Sequence, residues 1–86
     1  MSARRSGFQI AIDVLAVIAE GERRPTRIMY ASNLSWNSLR NTLDVLVDKG
    51  YVDEFFHNNK QKRYDITPKG KDVLSYYSRL ETMVKV

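Results

Sequence analysis

Asn37, Arg40 and Asn41 fall at i, i+3 and i+4, the spacing that puts three side chains on one face of a helix. Their chemistry is recognition. A carboxamide pairs with the major-groove edge of adenine and a guanidinium with that of guanine, and the hydroxyl of Ser38 between them bonds either kind of base. A recognition helix meets base edges with its N-terminal turns and leaves the groove at its far end, so Asp44 and Asp48 farther along are tolerable there. Alone, the same pattern also describes an ordinary amphipathic helix with a solvated face.

The element that must carry these groups has clear ends. Ser35 is a good N-cap, Leu34 just outside it can staple onto Leu39, and Gly50 is a natural stop, which predicts a helix over 36–49. Leu39, Leu43 and Leu46 form its apolar stripe, with Trp36 and Val47 on the edge and Asn37, Arg40, Asn41, Asp44 and Asp48 opposite. Thr26 reads as a cap or short-strand residue before a helix over 27–32 that points Ile28 and Ala31 inward. Asn33 and Leu34 make the corner, Asn being suited to a left-handed conformation. Arg27 would then lie over phosphates if the next helix entered a groove, with Ser35 and Trp36 beside it.

Charge supports an anionic partner by its placement. The 86 residues carry a net +4. Arg23, Arg24, Arg27 and Arg40 fall in a window, 23–43, that has no acid, and Lys60, Lys62 and Arg63 in a second, 57–63, that also has none. The rest of the chain is therefore net acidic.

Around the second window the period changes to about two. Residues 51–56 and 60–66 read as strands joined by His57-Asn58-Asn59-Lys60, a β-hairpin with Val52, Tyr64 and Ile66 turned inward and its cations near the tip. Such a hairpin can grip backbone or minor groove, or its lysines can simply protect an edge strand.

Two helices flank this centre. The first, over 7–20 and stopped by Gly21, has Phe8, Ala11, Ile12, Leu15, Ile18 and Ala19 on one face and Ile10, Val14 and Val17 on the other. A helix apolar nearly all round is buried on both sides, and a second copy of the protein is the expected cover for the second face. Thr67 caps the last helix and Pro68 takes its first position, with the end expected near Lys85. Val73, Tyr77, Leu80 and Val84, with Tyr76 and Met83, give it an apolar stripe that predicts dimer contact, since at 1.5 Å per residue it is about 28 Å long and outgrows so small a globule. A membrane-surface helix would carry more Lys and Arg opposite than Asp72, Ser75, Ser78, Glu81 and Thr82 allow. Met1 to Ser6, with Arg4 and Arg5, reads as a loose arm.

Length and composition bound the remainder. A chain this short is one domain of marginal core size, for which a partner subunit helps. It has no cysteine and one histidine, His57 in the hairpin tip, so neither disulfides nor a metal centre is expected. With no phosphate loop and no Cys/His pairing, catalysis, cofactors and a small-molecule ligand are not expected, and Asp44/Asp48 read as a wet helix face. The longest apolar stretch, 10–19, is interrupted by Asp13, and residues 1–6 lack a signal's apolar core, which points to a soluble cytoplasmic protein, nucleoid-associated if DNA is its partner.

The order helix, helix, turn, helix, hairpin, helix is a winged helix-turn-helix plan, mainly α with a small β wing. The chain also resembles an archaeal branch of that family: the ArnR-like winged-helix domains, and the ten-kilodalton chromatin proteins and small viral regulators related to them. The residues that carry the likeness are Thr26-Arg27-Ile28-Met29-Tyr30, Asn33-Leu34-Ser35-Trp36, the Leu39/Leu43/Leu46 series ending at Gly50, and Tyr64-Asp65-Ile66-Thr67-Pro68-Lys69-Gly70. It implies dimeric binding of double-stranded DNA, with the recognition helix in the major groove, the wing on flanking DNA and dimer contacts through the terminal helix. The chromatin relatives have a longer terminal helix that forms a coiled coil; the shorter one here favours a compact dimer. The expected function is a homodimeric, sequence-specific transcriptional regulator, with an architectural chromatin protein or a protein-interaction module as alternatives.

Overall fold

The computed structural model describes residues 5–84, and Arg4 and the expected helix end at Lys85 lie outside them. Four helices and one hairpin follow in the order α1 (Gly7–Ala19), α2 (Pro25–Ser32), α3 (Trp36–Asp48), β1 (Val52–His57), β2 (Gln61–Ile66) and α4 (Pro68–Val84).

Helix α1 is the hub, in contact with α2, α3, α4 and β2. Val14, Leu15 and Ile18 from it meet Ile28 of α2, Leu39, Leu43 and Leu46 of α3, Val52 of β1 and Tyr64 of β2 in one core. This corrects the expectation that Val14 faces a second subunit: it is 0% exposed inside its own chain. Ile10 and Val17 are half-buried against the same core. The apolar second face of α1 is real, and neighbours in the same chain cover it fully at Val14 and in part at Ile10 and Val17. Phe8 and Ala19, expected inward, are exposed instead, as is Ala31 of α2, whose place in the interior is taken by Ser32.

Local chemistry fixes the ends. Helix α2 starts two residues earlier than its apolar spacing implies, because Pro25 occupies the first helical position, where a missing N–H is harmless. It closes through Asn33, left-handed at φ 56°, ψ 50°, with Asn33 N donating to the Tyr30 carbonyl at 3.2 Å and Leu34 N to that of Met29 at 3.2 Å. Ser35 caps α3, its Oγ accepting from Ser38 N at 3.2 Å. Asn58 and Asn59 both take positive φ, 62° and 68°, as a tight hairpin reversal requires. Thr67 joins two elements: its hydroxyl donates to the Gly50 carbonyl at 2.7 Å and accepts from Gly70 N at 3.0 Å, so the end of α3 and the start of α4 share one side chain.

The hairpin pairs Val52 with Ile66, Glu54 with Tyr64 and Phe56 with Lys62. Period two then places Val52, Glu54, Phe56, Lys62, Tyr64 and Ile66 on one face, the face toward the helices. Tyr64 N also donates to the Arg23 carbonyl at 3.0 Å, tying β2 to the segment that leads into α2. No described helix is long and apolar enough to cross a membrane.

Candidate nucleic-acid interface

The register of β2 decides where the hairpin's cations go. Lys62, on the inner face, leans toward α3, and Arg63, on the outer face, leans toward the segment before α2. Lys62 and Lys60 border a cleft of about 370 Å³ whose other wall is Trp36 and Arg40 from the first turns of α3; Phe56, Glu54 and Asp44 complete it, with Tyr64 and Leu43 below. The lysine-bearing hairpin and the arginine-bearing tip of α3 thus open to the same side.

A second cleft of about 570 Å³ runs alongside, lined by Arg24, Arg27, Tyr30 and Trp36 with Gln61, Lys62 and Arg63. Trp36, 48% exposed, borders both clefts. Four cations surround the second cleft and no acid lines it. Among the described residues, Arg27, Arg40 and Lys60 have no ion-pair partner, so their charge is available to an anion. Asn37 and Asn41 are exposed on the same helix as Arg40, and Ser38 is half-buried.

Two features of this surface escape sequence reasoning. Tyr30, 74% exposed, and Phe56, 61% exposed, add aromatic faces that no helical or strand stripe required to be outside. The other is acidic. Asp44, expected to leave the groove with the far end of α3, lines the first cleft next to Arg40. Glu54 lies there too, held by the Tyr64 hydroxyl at 2.7 Å and by Lys62 Nζ at 3.6 Å. Burial, and then the Glu54 carboxylate it donates to, push the Tyr64 hydroxyl well above its ordinary 10.0, so it stays protonated and anchors Glu54. Lys62 is accordingly partly neutralised, whereas Arg63 donates to the Lys62 carbonyl at 3.1 Å and the Gln61 side chain at 3.0 Å, bonds that satisfy N–H groups without cancelling charge.

Of the residues expected at the dimer contact besides Val14, Val73 and Tyr77 are half-buried, whereas Leu80 and Val84 are exposed together with Tyr76 and Met83. An apolar groove of about 380 Å³ runs between Phe8, Tyr51, Val73, Tyr76, Tyr77 and Leu80.

The family model for winged helix-turn-helix proteins matches residues 4–85. The chain belongs to that family. As a winged helix, it has α2 and α3 as the helix-turn-helix and the β1–β2 hairpin as the wing. It is 37% identical over 81 residues to MJ0287, an uncharacterized protein of Methanocaldococcus jannaschii, the match covering 93% of this chain and 78% of that one. MJ0290 of the same archaeon is 32% identical over 73 residues, which cover 85% of this chain but only 32% of its own length. Among solved structures it is similar to Sso10a-2, a DNA-binding protein from Sulfolobus solfataricus, with a TM-score of 0.80 and 26% identity over 92% of this chain and 81% of that one. The transcriptional regulator BldR from the same organism shares the fold at a TM-score of 0.77 and 22% identity, over 87% of this chain and 56% of that one.

Proposed function

We propose that this winged helix is a homodimeric, sequence-specific regulator of transcription that binds double-stranded DNA, with α3 in the major groove and the wing on the flanking duplex. The observation that carries the reading is the shared cleft, where Arg40 and Trp36 of α3 face Lys60 and Lys62 of the wing across a channel open to solvent. A helix and a hairpin so arranged straddle one sugar-phosphate strand, leaving Asn37, Ser38, Arg40 and Asn41 to read base edges while Arg24, Arg27, Ser35, Trp36, Lys60, Lys62 and Arg63 hold the backbone. Arg24 joins the phosphate set because it lines the same cleft as Arg27. No cofactor or catalytic step enters this reading, and it places the protein on DNA in the cytoplasm.

The carboxylates of Asp44 and Glu54 support specificity over mere attraction. Two acids set among cations repel a phosphate placed out of register, and a site built only for charge would omit them.

The apolar groove and the exposed Tyr76, Leu80, Met83 and Val84 support dimerisation through α4, with Phe8 of α1 at its edge. Ile10 and Val17, half-buried in the chain, are at most the rim of such a contact.

Selection of bound duplexes from a random pool tests the proposal. A palindrome with half-sites about 10 base pairs apart, or a multiple of that, is the expected outcome, bound on the order of 10³-fold or more tighter than random sequence. The likeness to Sso10a-2, a DNA-binding protein, fits a second reading equally well, a sequence-indifferent architectural protein on the same surface. Equal affinity for every duplex would establish that alternative, and no retention of DNA at about 0.1 M salt would leave a protein-interaction module.

A further inference from the structure

Arg5, just ahead of the Ser6 cap, and Gln9 and Asp13 in the first turns of α1 follow one another at intervals of four residues, and their side chains are joined end to end. Gln9 Nε2 donates to Asp13 Oδ1 at 2.8 Å, and Arg5 Nη1 donates to Asp13 Oδ2 at 3.0 Å. Both ends of the ladder leave α1. At one end Arg5 crosses to the helix-turn-helix corner, Nη1 donating to the Ser32 carbonyl at 2.9 Å and Nη2 to that of Asn33 at 3.0 Å. At the other end Gln9 Oε1 accepts from the Tyr77 hydroxyl of α4 at 3.0 Å. The expectation of a loose arm over residues 1–6 is therefore corrected at Arg5, and at Ser6, whose Oγ caps α1 by accepting from Gln9 N at 3.0 Å.

We propose that Arg5 is a positioning residue for α3, and that the chain Tyr77–Gln9–Asp13–Arg5 couples α4, the helix of the dimer contact, to the corner that aims the reading helix. The proposal rests on the DNA-binding reading for its consequence, not for its geometry.

The polarity of every link is forced. A carboxylate only accepts and a guanidinium only donates, so Gln9 must turn its N–H toward Asp13 and its oxygen toward Tyr77, which leaves the tyrosine hydroxyl to donate. Removing one donor releases the orientation of the next group along the line. The corner end matters because the Ser32 carbonyl belongs to the last turn of α2, where no helical N–H reaches it and where the helix dipole is negative. A guanidinium spanning two successive carbonyls fixes the turn that ends two residues before the first residue of α3. Tyr77 is meanwhile placed by its ring, 5.6 Å from that of Phe8, inside the apolar groove that a partner subunit would fill.

Tyr77→Phe tests this with the loss of one hydroxyl and no change in the ring contact. In amide NMR spectra of the full chain without DNA, we expect the resonances of Ser32 to Trp36 to move in Tyr77→Phe and to stay still when the same change is made in an Arg5→Gln background. With the selected duplex, each single variant should lose about five-fold or more in affinity and the double variant no more than the worse single one. If Arg5→Gln does not fold, Gln9→Met cuts the ladder in its middle and takes its place. Corner resonances that ignore Tyr77→Phe, or that move equally in both backgrounds, would overturn the coupling. A chain that binds no DNA but shows the amide coupling would sink the regulator reading and leave the ladder standing.

Discussion

The carbonyl oxygen of Tyr51 lies where a side chain on Gly70 would begin. That approach lets α4 start directly over the turn that ends α3, and it is reinforced by Thr67 N donating to the same carbonyl at 3.1 Å. Alanine in place of a helical glycine ordinarily stabilises by about 1 kcal/mol. Here the new methyl would overlap the Tyr51 carbonyl and stand 2.8 Å from Ile66 Cγ1, so the sign reverses. Gly70→Ala should lose about 2 kcal/mol or more, read as a lower urea midpoint at unchanged slope. An unchanged or raised midpoint would mean that α4 is not seated in this way.

Tyr64 gives a prediction in alkali. Its hydroxyl is held above 10.0, first by burial and then by Glu54, so the folded chain keeps a proton that the unfolded chain gives up once pH passes 10. The unfolded state then binds fewer protons and stability falls as pH rises, while below 10 the contribution is complete. Tyr64→Phe should be less stable than the parent at neutral pH, because Glu54 loses its donor, and should show a shallower decline above pH 10. Parallel stability curves for the two proteins above that pH would show that Tyr64 is not the group responsible.

Much of this fold is legible in the sequence wherever the cause is local. Ser35, Asn33, Gly50, Thr67 and Pro68 act on their own neighbours, and each stands at the cap, corner or turn its chemistry implies. The rest depends on contacts distant in the chain. Whether the second face of α1 meets a partner or the chain's own elements is decided by where the hairpin and α4 come to rest, and periodicity within 7–20 cannot report that. Arg5 reaches carbonyls 27 and 28 residues away. In the sequence that reach shows only as the spacing of four between Arg5, Gln9 and Asp13. The placement of Asp44 and Glu54 among the cations follows from helix phase and strand register combined, neither sufficient alone.

Arg40 and Arg27 should fail differently. Both are exposed, so neither substitution should change the fold. Arg40→Ala should cost about 1–3 kcal/mol against the selected duplex and little against random DNA, because a base contact carries sequence information. Arg27→Ala should weaken both by a similar factor and lower the salt slope by about one, because a phosphate contact carries charge alone. Affinity measured on both duplexes at several salt concentrations separates the two, and identical behaviour of the variants would remove Arg40 from the reading set.

Leu80 tests the proposed subunit contact. It is 41% exposed on α4, so Leu80→Glu should leave the single-chain core intact. Each leucine withheld from an interface forfeits about 1.5–3 kcal/mol, and a symmetric dimer contains it twice, so dissociation should rise about a hundredfold or more. Sedimentation would then find monomers with native circular dichroism. A dimer of unchanged strength would place the contact elsewhere.

Trp36 reports on the central claim directly, because it is the only tryptophan in the chain and borders both basic clefts. Duplex DNA titrated at about 0.1 M salt should alter its emission, saturate, and release the change as salt is raised. Emission that stays constant while the same duplex is retarded in a gel would contradict the account, because the DNA would then be held by some other face of the molecule.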